Sequence, residues 1–341
     1  MPSPADRAEA APAYDIAVVG SHAYGLYLAC ERMPRPGETV IGHDFRSMMD
    51  GDGGKGTNQA ICAARLGARL LFIGKVGDDQ AADIAEAALK SEGIDTRYLY
   101  RTDESYTGLG VVLVDAAGES MIVVDPGASN LLTPEEVAAS TPDMARASLF
   151  LTQFEQPVAI TLYALRQAKS LGLTTVLNPA PVPDLAPGAL DDVDILTPNA
   201  TEALLLAGLD GTDRPPAESV VRAIQERWGV TNVVMTRGAD GVTALCEGEL
   251  LELPSFAVEV VDSTGAGDAF SAALAVALTR GGAWSAALEF ASAAGAIAVT
   301  ASLPWRSYPT PDEIARFLAE RGRDPRLAHA AGQGDSGKRS P

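Results

Sequence analysis

Short apolar runs alternate with stretches of helical spacing along most of the chain. Ile16–Val19 ends at Gly20, and residues 70–73 end at Gly74, each a strand that feeds a turn. Residues 81–90 carry a helical face that stops near Gly93. Further on, an apolar run at 147–151 precedes a helical 160–171. The strand Thr174–Leu177 follows, and then a run at 195–197 leads into a helix at 201–207. A helix around 220–228, a strand at 230–236 and helices over 266–280 and 284–298 complete the series. Strands alternating with helices of this length predict an α/β fold: a central, mostly parallel sheet flanked by helices.

Two regions break the rhythm. Residues 107–124 contain two β-rich runs around Asp115-Ala-Ala-Gly118, a hairpin signal, and residues 39–49 look extended without a helical face. They predict a small second sheet, a lid with strands at about 37–50 and 107–125. Such a sheet must cover its apolar face with substrate, with the main body or with a partner's equivalent sheet. A lid that also joins two copies into a homodimer follows; an ordinary hairpin at the edge of the core is the alternative. Residues 1–13 and 322–341 are Ala/Pro-rich or polar and glycine-rich, and read as flexible tails around one domain at 14–321.

Composition narrows the function. Across 341 residues, 47% hydrophobic and 21% charged fits a packed globule. A formal charge of -19 and the lack of a basic stripe exclude nucleic acid as a main partner, while leaving a small anionic substrate open. No apolar run approaches a membrane span, and the first residues lack the apolar core of an export signal, so a cytoplasmic protein is expected. Cys30, Cys62 and Cys246 are too few and too scattered for a disulfide framework and read as buried thiols. Of three histidines, His43 reads as surface, His329 as tail, and His22 stands just after the first strand.

Two glycine-rich matches fail on context. Gly51-Asp52-Gly53-Gly54-Lys55-Gly56 has dinucleotide-fingerprint spacing but comes more than thirty residues after the first strand. It is no Walker A loop either, because Lys55 is followed by Gly56 and Met49 stands where the first glycine belongs. What remains is a glycine-rich turn running into a helix near Asn58, where Lys55 could meet an anion and Asn58 a hydroxyl. A plain turn and helix start is the bland alternative.

The sharper constellation is Asp262-Ser263-Thr264-Gly265-Ala266-Gly267-Asp268-Ala269-Phe270, between a strand ending at 258–261 and an apolar helix. Gly265, Ala266 and Gly267 leave first-turn amides uncovered, and with the helix dipole these form an anion hole for a transferring phosphoryl group. Asp268 in the first turn can take the proton of an attacking alcohol; helix capping is its alternative use. Asn199 and Glu202, three apart after the strand at 194–197, can face one site and order water around Mg2+, or simply cap a helix. Thr236-Arg237-Gly238-Ala239-Asp240-Gly241 is either a turn or the lining of a nucleotide phosphate path.

Together these strings resemble a family. GGKGTNQA at 53–60 and DSTGAGDAF at 262–270 are similar to the two signatures of the ribokinase-like (PfkB) carbohydrate kinases. NPAP at 178–181, TPNATEA at 197–203, TRGADG at 236–241 and AAGAIAVT at 293–300 extend the likeness over about residues 14–320. Within that family the ribokinases are nearest in pattern.

The resemblance implies transfer of the γ-phosphoryl group of ATP, with Mg2+, to a hydroxymethyl of a small sugar. It makes Asp268 the base, 265–267 the anion hole, and Gly54, Lys55, Asn58 and Glu155 holders of sugar hydroxyls. Asn199 and Glu202 would organise Mg2+ and phosphates, with Thr236, Gly238, Gly241 and Gly267 on the nucleotide side. It also implies a K+ site, to which Asp262, Thr264 and Ser307 could contribute, although Leu303 stands in the place of a loop glycine.

The acceptor side departs from the pattern. Ribokinases carry G-S-x-N-x-D after the first strand; here Gly20-Ser21-His22-Ala23-Tyr24-Gly25 loses both polar groups. Their loss weakens discrimination for ribose unless His22 or Tyr24 replaces them. Asp50 and Asp52, in a lengthened approach to the first signature, add carboxylates near the same pocket. A nucleoside kinase, with Tyr24, Met48 and Met49 around a base, and a non-catalytic sugar-binding protein are the competing readings.

Overall fold

The computed structural model describes residues 13–47, 53–116, 120–209, 215–302 and 304–329. In chain order its strands are β1 (Ile16–Val19), β2 (Ala23–Cys30), β3 (Gly42–Ser47), β4 (Leu70–Gly77), β5 (Asp95–Thr102), β6 (Thr107–Val114), β7 (Ser120–Gly127), β8 (Leu149–Thr152), β9 (Thr174–Leu177), β10 (Ile195–Leu196), β11 (Asn232–Thr236), β12 (Val242–Cys246) and β13 (Glu249–Leu253). The helices are α1 (Gly54–Arg65), α2 (Gln80–Ser91), α3 (Pro134–Ala139), α4 (Thr141–Met144), α5 (Val158–Ser170), α6 (Ala200–Ala207), α7 (Ala217–Trp228), α8 (Ala266–Thr279), α9 (Trp284–Ala298), α10 (Pro304–Ser307) and α11 (Pro311–Glu320).

Nine of these strands form one sheet in the order β13-β12-β11-β10-β9-β8-β1-β4-β5. It is parallel from β11 to β5, with β12 and β13 running antiparallel at one edge. Every residue of β1 is buried because both faces are covered. Ile16 and Val18 enter the core under α1, α8 and α9, while Ala17 and Val19 enter the opposite core under α5, α6 and α7. The small residues of α8 are buried nearly all round, which suits a helix wedged between sheet and neighbouring helix. Chain order reverses around β1, which has β4 on one side and β8 on the other. That reversal opens a crevice beyond the carboxyl ends of the strands, the usual ligand position in such sheets.

The lid is a four-stranded sheet in the order β3-β2-β6-β7. Its centre was invisible to the sequence reading: β2 starts at Ala23, only three residues after Gly20, and pairs parallel with β6. The expected extended stretch at 37–50 narrows to β3, and residues 48–52 and 117–119 lie outside the described residues.

Three further expectations need correction. Residues 258–261 form no strand; the chain there is irregular, with Val260 and Val261 exposed. β5, with its polar alternation, was not anticipated. Residues 322–329 are not a loose tail, since Pro325–Ala328 form a 3-10 turn that buries Ala328 and accepts a hydrogen bond from Arg280.

Candidate active site

α1 begins at Gly54, four residues before the expected start, so Lys55 lies in its first turn and Asn58 in its second. Its mouth is pressed against the end of β1. A side chain on Gly56 would meet the Ser21 nitrogen at 2.5 Å and the Gly20 Cα at 2.6 Å, so only glycine allows this approach. The same packing brings the Lys55 amide to Glu155 Oε2 at 2.8 Å, with the Ser21 hydroxyl donating to that oxygen at 2.6 Å.

α8 starts from Gly265, whose φ of 77° places it in the left-handed region. A Cβ there would also strike Pro304 and the Tyr308 hydroxyl, both at 2.8 Å. Asp268 follows in the first turn, 5% exposed. Burying a carboxylate is costly unless its oxygens are held. Asn58 Nδ2 donates to one at 3.3 Å and Gln59 Nε2 to the other at 2.9 Å. Asn58 is fixed in turn by Trp305, whose indole N–H donates to its Oδ1 at 2.8 Å. Gln59 also donates to Asn178 and accepts from Gln153. The Ala266 amide donates to the Ser263 carbonyl at 3.3 Å, so of the expected anion hole at 265–267 it is the one amide already engaged. Among the described residues the amides of Gly265, Gly267 and Asp268 show no acceptor.

Asp268 faces a cleft of about 760 Å³ between the lid and the carboxyl ends of the sheet. Gly54, Lys55, Asn58 and Glu155 line it beside Asp268, and Asn199, Glu202, Thr236 and Gly238 line it from the ends of β10 and β11. The lid contributes Ala23, Gly110, Val112, Ile122 and Val124, an apolar wall. Asn199 and Glu202 make a full capping box, with Asn199 N–H and Nδ2 each donating to Glu202 at 2.8 Å. The bland reading of this pair is therefore realised, yet both residues still face the cleft. Burial pushes the Glu155 and Glu202 carboxyls above their ordinary range, while the nearby Lys55 charge pulls both down and Asp268 pushes both up.

The pattern of pfkB family carbohydrate kinases matches residues 13–311. The chain belongs to that family. It is 34% identical over 303 residues to a ribokinase of Haemophilus influenzae, covering 89% of this chain and 98% of that one. A deoxyribokinase of Salmonella typhi is 31% identical over 306 residues, with 89% and 99% covered. Among solved structures, ribokinase of Arabidopsis thaliana complexed with ribose and ATP superposes with a TM-score of 0.78 at 29% identity, over 89% of this chain and 98% of that one.

Not every residue expected at the site of this pfkB chain reaches the cleft. Tyr24 alternates to the face of β2 opposite Ala23, and it does not line the cleft. His22 is 2% exposed and turns inward, with Nδ1 3.1 Å from the Thr57 hydroxyl and its ring 6.5 Å from Trp305. Burial pushes its pKa down to about 4. Gly241, at φ 87°, serves the turn into β12 and not the cleft wall. Ala266 and Asp262 also stay off the wall, and an Asp262 oxygen accepts from the Thr264 amide at 2.9 Å. Thr264 does line the cleft, whereas the Ser307 hydroxyl donates to Pro304 within α10. Met48, Met49, Asp50, Asp52 and Leu303 lie outside the described residues.

Sequence reasoning gave no role to Gln59, Asn178 or Trp305, and it named Arg237 only as part of the Thr236–Gly241 segment. Gln59 lies inside the GGKGTNQA string, and its helical position beside Asn58 is the signal that could have found it. Nothing local marked Trp305, which acts from 247 positions away. Among the described residues no helix is long and apolar enough to cross a membrane, and no cluster of three His, Cys, Asp or Glu forms a metal site.

Proposed function

We propose that this chain transfers the γ-phosphoryl group of ATP to a hydroxymethyl group of a small sugar, a pentose or related sugar or polyol. The observation that carries this reading is Asp268: a buried carboxylate facing the cleft, beside two helix-mouth amides without an internal acceptor. The ribose and ATP named for the Arabidopsis relative support the substrate pair.

In this mechanism Asp268 accepts the proton as the acceptor's O–H bond breaks. The oxygen bonds to the γ-phosphorus while the bond to the ADP oxygen breaks. Asn58 and Gln59 hold the carboxylate in register for that proton. The Gly267 and Asp268 amides, at the positive end of α8, receive the charge on the transferring group. Lys55, Asn58 and Glu155 are the polar groups offered to the sugar, with Gly54 supplying backbone close by. His22 and Tyr24, turned away from the cleft, do not restore the missing polar contacts.

The Asn199–Glu202 pair fits a magnesium ion held through water: Glu202 faces the cleft, and its oxygens keep lone pairs beyond those used in the cap. Bound there, Mg2+ would offset phosphate charge. Of the set Asp262, Thr264 and Ser307, Thr264 alone lines the cleft, so the three form no assembled K+ site on its wall.

A second reading, a nucleoside kinase, is favoured by one observation. The lid wall is apolar, and a Cβ built on Gly110 would meet nothing within 4 Å, leaving room for a flat ring. Assaying the purified protein with ATP and Mg2+ against pentoses, deoxypentoses, hexoses, polyols and nucleosides tests both. Turnover with a free sugar or polyol supports the first, turnover with nucleosides alone the second, and no turnover with any acceptor overturns the kinase reading.

A further inference from the structure

We propose that Arg237 is the cation that grips the nucleotide's phosphates. The inference rests on the kinase reading above and adds a contact that neither signature supplies. Arg237 leaves the end of β11, where its backbone N–H donates to the Gly241 carbonyl at 2.8 Å and so fixes the turn. Its side chain lines the same cleft as Asp268. The Nε atom is buried and has no hydrogen-bond partner, and the guanidinium makes no ion pair among the described residues.

Among the described residues no other arginine or lysine keeps a buried side-chain nitrogen without a hydrogen-bond partner, in a chain with 45 acidic residues against 26 basic ones. Elsewhere on the body, arginines find carboxylates readily: Arg65 meets Glu92 at 2.7 Å, and Arg101 meets Glu86 at 2.8 Å. A half-buried guanidinium donor left unpaired is destabilising, and it is retained where a ligand completes it. The complementary ligand is anionic, with several oxygens in a plane or fork, which phosphate provides.

Position selects the nucleotide over an anionic acceptor. Arg237 adjoins Thr236, whose backbone bridges to Asn199, and Gly238, both on the cleft wall at the ends of β10 and β11. The acceptor groups Lys55 and Glu155 come instead from α1 and the end of β8.

The test compares the full chain with Arg237→Leu and Arg237→Lys, each checked for an unchanged unfolding midpoint. ATP and ADP binding is read by calorimetry, and KM for ATP and for the acceptor by steady-state assay. Leucine is expected to weaken ATP binding and raise its KM by about ten- to a hundred-fold, with acceptor KM within about two-fold and lysine partly restoring binding. ATP binding unchanged in Arg237→Leu, or a loss confined to acceptor KM, overturns the assignment while leaving the kinase reading intact. A wild-type chain that neither binds nucleotide nor phosphorylates any acceptor overturns both.

Discussion

Asn58 and Asp268, 210 positions apart in the chain, meet through a hydrogen bond of 3.3 Å at the floor of the cleft. The Asn58 amide can donate there because its own oxygen is held by Trp305 and by the Gly53 amide at 3.0 Å. Both glycine-rich signatures therefore converge on one carboxylate, with an indole from α10 setting the amide's direction.

Replacing Trp305 with phenylalanine removes the donor that sets this direction while keeping most of the apolar volume. Turnover is expected to fall about ten-fold, in line with the loss of one buried hydrogen bond, with KM for ATP nearly unchanged. Steady-state kinetics on a variant with native circular dichroism checks this. An unaltered kcat would remove Trp305 from the positioning network.

Glu155 makes a separable prediction. Glu155→Gln keeps one oxygen, enough for the Lys55 amide and the Ser21 hydroxyl that both meet Oε2, but removes the charge offered to the acceptor. Acceptor KM should rise about ten-fold or more, while ATP KM stays level. Burial raises the Glu155 pKa, so the carboxylate is lost on acidification at a higher pH than for a free glutamate. The acid limb of acceptor binding should therefore lie above the usual carboxylate range and disappear in the variant. A limb that persists unchanged assigns it to another group.

His22 predicts a stability profile. Its folded pKa of about 4 lies below the ordinary 6.5, so between those values the unfolded chain binds more protons and stability drops as the pH is lowered. From pH 7 to pH 5 the wild type should lose about 2 kcal/mol that His22→Gln retains, as measured by urea unfolding at the two pH values. Parallel losses in both proteins would mean that the imidazole is not held neutral.

The lid carries a prediction about assembly. On β7, an edge strand, Met121 is 54% and Val123 70% exposed, on the face away from the cleft-lining Ile122 and Val124. An apolar edge of this kind invites pairing with a second copy. Sizing by light scattering should give a dimer that Val123→Lys dissociates; a wild-type monomer at micromolar concentration rejects the lid as an interface.

The βα rhythm, the two signatures and the pair Asn199–Glu202 were legible because strand–turn–helix units write their ligand edge into contiguous residues. β2 was not, since Ala23-Tyr24-Gly25 follows a turn glycine and shows its strand character only when β6 lies beside it. The inward turn of His22 was equally hidden: its partners Thr57 and Trp305 come from α1 and α10. Gln59 and Gln153 shape the Asp268 site through a buried network, and such a network leaves no periodic trace in sequence. Apolar periodicity at 258–261 misled because a strand needs a neighbour to pair with, and none is present there among the described residues.

Asp268→Asn tests the central claim most directly, because it keeps the side chain's shape and removes its capacity to take a proton. Phosphorylation is expected to fall by a factor of about 10² to 10⁴, while ATP and acceptor still bind within a few-fold of wild type by calorimetry. Turnover at the wild-type rate in a folded Asp268→Asn protein would contradict it.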